Sequence, residues 1–137
     1  MRIAFVSDIH GNLAALEAVA ADIARHGADR VVNLGDNLSG PLLPRETAQW
    51  LMASDWLSLA GNHERQVLQL RPGHGGASDQ YTHTQLTEAE FAWMRSLTHT
   101  LRLDDDMLLC HGSPRSALSF WSLSSRDALR PRISASA

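Results

Sequence analysis

Apolar and polar positions fall into blocks of two lengths along this chain. Short apolar-rich runs occur at residues 2–6 (RIAFV), 30–34 (RVVNL), 56–60 (WLSLA) and 107–110 (MLLC). Runs of that length, bounded by Gly, Asp and Asn, suit strands better than helices. Between the first two, Leu13, Leu16, Ala20 and Ile23 recur on one helical face, with Asn12 placed to cap the start and Gly27 the end. After the loop SGPLLP a second helix is expected over about residues 45–53. Thr87-Glu88-Ala89-Glu90 matches a capping box ahead of the apolar positions Phe91, Trp93, Met94 and Leu97. Leu101-Arg102-Leu103 and residues 107–110 flank Asp104-Asp105-Asp106, which predicts an antiparallel hairpin with a solvated tip rather than a calcium site. The stretch RPGHGGASD, residues 71–79, reads as a loop. Strands alternate with helices early and pair as a hairpin late, so the expected fold class is α/β, a layered fold with a mixed sheet.

Composition narrows this picture. The chain has 137 residues, enough for one domain, and 44% of them are hydrophobic. A net charge of −3 offers no basic footprint for nucleic acid or an anionic membrane. A single cysteine excludes an internal disulfide, and no apolar run reaches membrane-spanning length, so a cytoplasmic setting is the expectation. Seven histidines beside one tyrosine are the unusual count.

Their positions matter more than their number. Asp8-Ile9-His10, Gly35-Asp36-Asn37, Gly61-Asn62-His63-Glu64 and His111-Gly112 each follow an expected strand directly. In α/β sheets, loops at the carboxyl ends of strands converge on one edge, where ligands bind. Asp, His and Asn there offer oxygen and imidazole nitrogen, donors suited to Mn, Fe, Zn or Ni. In an extended chain Asp8 and His10 project to the same side, so one ion can take both. Gly35 permits a tight turn that brings Asp36 close, with two oxygens able to bridge two ions. Asn62 and His63 point apart, leaving one to ligate and the other to face a substrate. Taken singly, each cluster is as well explained as a capped turn; four of them after four strands are not.

These residues, D8-x-H10, G35-D36, G61-N62-H63-E64 and H111-G112 in that order, resemble the calcineurin-like metallophosphoesterases, and the opening SDIHGN and the run LCHGSP resemble their small bacterial phosphodiesterase-type members. The resemblance spans residues 1 to about 115. It implies a calcineurin-like αββα sandwich and two divalent metal ions, Mn²⁺ first, with Fe, Zn or Ni open. It implies Asp8 and His10 on the first metal, Asp36 bridging both, and Asn62 and His111 on the second. His63 becomes the acid at the leaving oxygen. The implied reaction is hydrolysis of a phosphodiester or phosphomonoester in a small phosphorylated substrate, by a hydroxide held between the ions.

The same resemblance calls for a closing G-H-x-H, and no histidine follows His111. Residues 116–137 read as a Ser/Arg-rich tail outside the family pattern, either disordered or with a short helix at about 119–129. The expectation is a fold truncated on its C-terminal side. The competing reading of function is an impaired remnant that binds metal weakly, or a partner or second copy through an open sheet edge. The remaining conspicuous residues have ordinary readings. His26 suits a helix C-terminus, Trp50, Trp56, Phe91 and Trp93 suit the core, and His74, His83 and His99 carry no motif. Arg65 suits either a substrate phosphate or a surface ion pair.

Overall fold

The computed structural model describes residues 1–113. Strands β1 (Ile3–Val6), β2 (Arg30–Asn33) and β3 (Leu57–Ser58) form a parallel sheet in that order, with helices α1 (Leu13–His26) and α2 (Pro44–Ala53) as the crossovers. Helices α3 (Asn62–Leu68), α4 (Ala77–Gln85) and α5 (Glu88–Ser96) follow, and β4 (Thr100–Arg102) with β5 (Leu108–Cys110) closes the described chain as an antiparallel hairpin. Parallel and antiparallel pairing thus occur together in an α/β fold, in a three-stranded and a two-stranded sheet. The expected tail, with its alternative short helix, lies outside the described residues.

Register explains why the polar clusters meet. Val6 lies opposite Asn33, and Asn33 opposite Ser58, so the loops after all three strands leave from one edge. Local signals set the flanking helices. Asn12 accepts the Ala15 N–H at α1's start, and Gly27, left-handed at φ 70°, returns its N–H to Ile23 at the end. Pro44 opens α2, where a missing N–H is harmless. The capping box at Thr87 and Glu90 opens α5.

The core lies beneath the helices, where Leu38, Ala48, Val67, Leu86 and Met94 pack together with Leu68, Phe91 and Trp93 at the margin. Full burial of a side chain such as Leu38 or Met94 contributes about 1.5–3 kcal/mol.

Three expectations change. First, residues 71–79 are not all loop, because α4 begins at Ala77 and carries Asp79 inward. Second, Trp50 and Trp56 are only half-buried; they meet edge-on at 5.0 Å on the wall of an open groove. Third, the apolar run of residues 2–6 suggests a buried strand, but β1 is not one. Among the described residues it pairs only with β2, and Phe5 stays 46% exposed. No helix of the described residues is long and apolar enough to cross a membrane.

Candidate metal centre

The centre grows from two segments laced together beyond the ends of β1 and β2. Asp8, His10 and Gly11 donate their backbone N–H groups to the carbonyls of Gly35, Asp36 and Asn37 at 3.0, 3.0 and 2.9 Å. This lacing forces a backbone the sequence did not suggest. Asp8, His10 and Asp36 all lie in the left-handed region, at φ 58°, 51° and 57°. The extended chain expected at Asp8 and His10 is therefore not what brings their side chains together. The chain is coiled there, not extended, and the side chains converge through two left-handed residues. Asp and His are among the side chains that tolerate this region best.

Residues 35–40 are buried throughout, so each polar group there needs a partner. Asn37 donates to the Leu59 carbonyl at 3.1 Å and accepts from Asn33. Glu64, 1% exposed, accepts three backbone N–H groups: Asp36 at 3.0 Å, Asn37 at 2.8 Å and Gly61 at 2.6 Å. Burial pushes the Glu64 carboxyl above its ordinary value, the Asp36 carboxylate adds to this, and the three N–H donors oppose it. Gly35 and Gly61 are required by contact: a Cβ on Gly35 would sit 2.4 Å from the Gly61 nitrogen, and one on Gly61 would sit 2.1 Å from Asp36 Oδ1. The sequence places Glu64 in the Gly61-Asn62-His63-Glu64 cluster but carries no signal of this role.

On this frame, Asp8, His10 and Asp36 each offer a ligand atom, all within 4.8 Å of one another. His10 Nε2 is 3.6 Å from Asp8 Oδ1. His111, delivered by β5, places Nε2 at 3.2 Å from Asp36 Oδ2, while Asp36 Oδ1 accepts the His63 backbone N–H at 2.9 Å. Asn62 is the half-buried first residue of α3, and among the described residues its side chain makes no hydrogen bond to the others.

The histidine rings sort into two kinds. His10 Nδ1 lies 2.7 Å from the Ser39 carbonyl, and His111 Nδ1 lies 3.2 Å from the Leu34 carbonyl. A carbonyl only accepts, so in each neutral ring Nδ1 carries the hydrogen and Nε2 keeps its lone pair toward a carboxylate. That is the arrangement of a metal-ligating histidine, whose second nitrogen donates to a backbone carbonyl. His63 differs: its Nδ1 lies 2.9 Å from Oδ1 of the buried Asp79 carboxylate. Two carboxylates facing two imidazole lone pairs form a donor set for a hard or borderline divalent cation, and the residues present fit one.

The calcineurin-like phosphoesterase family model matches residues 1–132. The chain belongs to the calcineurin-like phosphoesterase family.

A metallophosphoesterase from Sphaerobacter thermophilus is similar in structure, with a TM-score of 0.71 and 31% identity over 85% of this chain and 49% of that one. The hypothetical protein PH1004 from Pyrococcus horikoshii OT3 shares the fold, with a TM-score of 0.58 and 19% identity over 73% of this chain and 49% of that one. In sequence, the uncharacterized protein MJ0912 of Methanocaldococcus jannaschii is 41% identical over 66 residues, 48% of this chain and 27% of its own length. The chain therefore spans about half the length of those solved structures and about a quarter of that relative. For a calcineurin-like phosphoesterase, family membership implies divalent metal ions, and Asp8, His10 and Asp36 are the candidate site.

Proposed function

We propose that this chain is a metal-dependent phosphoesterase that hydrolyses phosphodiester or phosphomonoester bonds in small phosphorylated molecules. The observation that carries the reading is the convergence of Asp8, His10 and Asp36, with His111 against Asp36, on one sheet edge of a calcineurin-like phosphoesterase.

Asp8 and His10 would hold one divalent cation together with Asp36, and Asp36, Asn62 and His111 would hold a second, with Mn²⁺ the preferred metal in both. Bound there, such ions supply Lewis-acid polarisation of the phosphoryl oxygens and a nucleophile at neutral pH. The chain's own residues do the rest. The buried loop 35–40 fixes Asp36, and the carbonyls of Ser39 and Leu34 orient His10 and His111. The half-exposed His63 ring, edge-on to His10 at a centroid distance of 5.2 Å, gives a proton from Nε2 to the departing oxygen.

Mn²⁺ calorimetry paired with turnover of a chromogenic phosphodiester tests this reading. Asp36→Asn should weaken metal binding and abolish turnover together. His63→Ala should keep the metal and lower kcat by about 10²–10⁴-fold. A wild-type protein that binds Mn²⁺ without turnover, or variants that lose metal equally, would overturn it.

A further inference from the structure

Asp79 lies outside every strand-end cluster, yet it is a buried acid bonded to His63 of one of them. It is 5% exposed, on α4, and its Oδ1 receives two side chains: His63 Nδ1 at 2.9 Å and the Ser39 hydroxyl. Ser39 is buried as well, and its carbonyl takes the His10 Nδ1–H. One short chain of bonds thus runs from His10 through Ser39 to Asp79 and on to His63. A buried carboxylate is costly unless its oxygens are paired. Here the partner spent on it is a histidine that the metal cluster leaves out.

The choice of partner matters chemically. A carbonyl fixes the tautomer of His10 and His111 but carries no charge. A carboxylate also accepts the His63 Nδ1–H, and it can do so in the neutral ring and in the ring protonated on both nitrogens alike. The doubly protonated form alone holds Nδ1–H on Asp79 while offering Nε2–H to a departing oxygen. When the proton leaves Nε2, the ring becomes the neutral Nδ1–H tautomer still bonded to Asp79, and the leaving group departs as an alcohol. Among the described residues no protein atom is hydrogen bonded to His63 Nε2, so that nitrogen is left for substrate.

We propose that Asp79, itself held by Ser39, is a positioning residue that orients His63 for proton donation to the leaving group. This rests on the phosphoesterase reading above and assigns to α4 a part in the reaction.

The test compares wild type, Asp79→Asn, Asp79→Ala and His63→Ala on phosphodiesters with leaving groups from nitrophenol to simple alcohols, at one pH and saturating Mn²⁺. Asp79→Asn nearly preserves shape but removes the charge, so it remains informative should Asp79→Ala fold poorly. The expected result is a kcat loss of about 10²–10⁴-fold for alcohol leaving groups, a far smaller loss for nitrophenolate, KM and Mn²⁺ affinity near wild type, and no added loss when Asp79→Asn is combined with His63→Ala. Imidazole ¹⁵N shifts of His63 in metal-free protein read the positioning without turnover: wild type should show hydrogen on Nδ1, and Asp79→Ala a mixture of tautomers. Equal kcat loss for all leaving groups, additive loss in the double variant, lost Mn²⁺ affinity in Asp79→Asn, or an unchanged His63 tautomer in Asp79→Ala would each overturn the proposal. Absent turnover in wild type with the ¹⁵N result intact would instead sink the phosphoesterase reading and leave the orientation of His63 by Asp79 standing.

Discussion

Glu64→Gln asks whether a buried charge holds the Asp36 loop in place. The substitution is nearly isosteric, so packing around a side chain 1% exposed changes little. Hydrogen bonding changes a great deal. The carboxylate accepts from Asp36 and Gly61 on one oxygen, at 3.0 and 2.6 Å, and from Asn37 on the other, at 2.8 Å. An amide has one acceptor oxygen, which is best spent on the Asp36 and Gly61 pair. Its NH₂ then faces the Asn37 N–H, a donor against a donor. One buried N–H left without an acceptor costs about 1–3 kcal/mol, and the two remaining bonds each drop from charge-assisted to neutral strength, about 1 kcal/mol apiece. Removing a charge that burial and Asp36 both oppose returns part of this. The expected net loss is about 2–4 kcal/mol. Urea unfolding at neutral pH measures it, with Mn²⁺ calorimetry on the same samples to read weakened binding through a loosened Asp36. An unchanged unfolding midpoint together with unchanged Mn²⁺ affinity would refute the reasoning.

Gly35→Ala should be severe, because its Cβ would meet the Gly61 nitrogen at 2.4 Å and the Ala60 carbonyl carbon at 2.9 Å, both backbone, at φ +112°. A loss of about 2–5 kcal/mol is expected from crowding plus backbone strain, and a midpoint within error of wild type would contradict the packing described. Glu90→Gln tests a pH effect far from the centre. Burial alone would raise the Glu90 carboxyl, but bonds from the Thr87 hydroxyl and N–H and from Gln49 outweigh it and lower the pKa below its ordinary 4.5. The stability this adds is fully present above about pH 5 and is lost as pH falls through the depressed native value. The wild-type advantage over Glu90→Gln should therefore shrink on acidification, and a pH-independent difference would refute the assignment.

What could be read from sequence follows from how local each signal is. Asn12, Gly27, Thr87 and Glu90 announce helix ends through contacts within four residues, and those ends fall where expected. The three strand-end clusters at residues 8–10, 35–37 and 61–64 were legible because a parallel sheet brings successive strand ends to one edge. Asp79 was not legible. It sits just after a Gly-rich stretch that looks like loop, and its partners are 40 and 16 residues away, at Ser39 and His63. Its position in the first turn of α4 was the available signal, since acids favour that place, but the signal is weak without an apolar stripe behind it. The tryptophans misled for the opposite reason. Hydrophobicity predicts burial on average, but Trp50 and Trp56 meet each other edge-on and stay half-buried.

The left-handed backbone at Asp8, His10 and Asp36 joins the fold to the chemistry. Each such residue costs about 1–2 kcal/mol, least for Asp. The three N–H bonds from residues 8, 10 and 11 to the 35–37 segment each contribute about 0.5–1.5 kcal/mol, which is of the same size. The strain is therefore offset locally, by backbone groups that need no side chain beyond the sheet edge. The side chains of Asp8, His10 and Asp36 make few bonds to the frame: Asp8 accepts the Ser7 hydroxyl, His10 donates to the Ser39 carbonyl, and Asp36 accepts the His63 N–H and faces His111. A centre built this way takes its shape from the pairing of β1 with β2. Substitutions that loosen residues 35–37 should thus weaken metal binding as substitutions of the candidate ligands do, which is why Glu64, buried and outside the candidate ligand set, is a residue on which the centre's geometry turns.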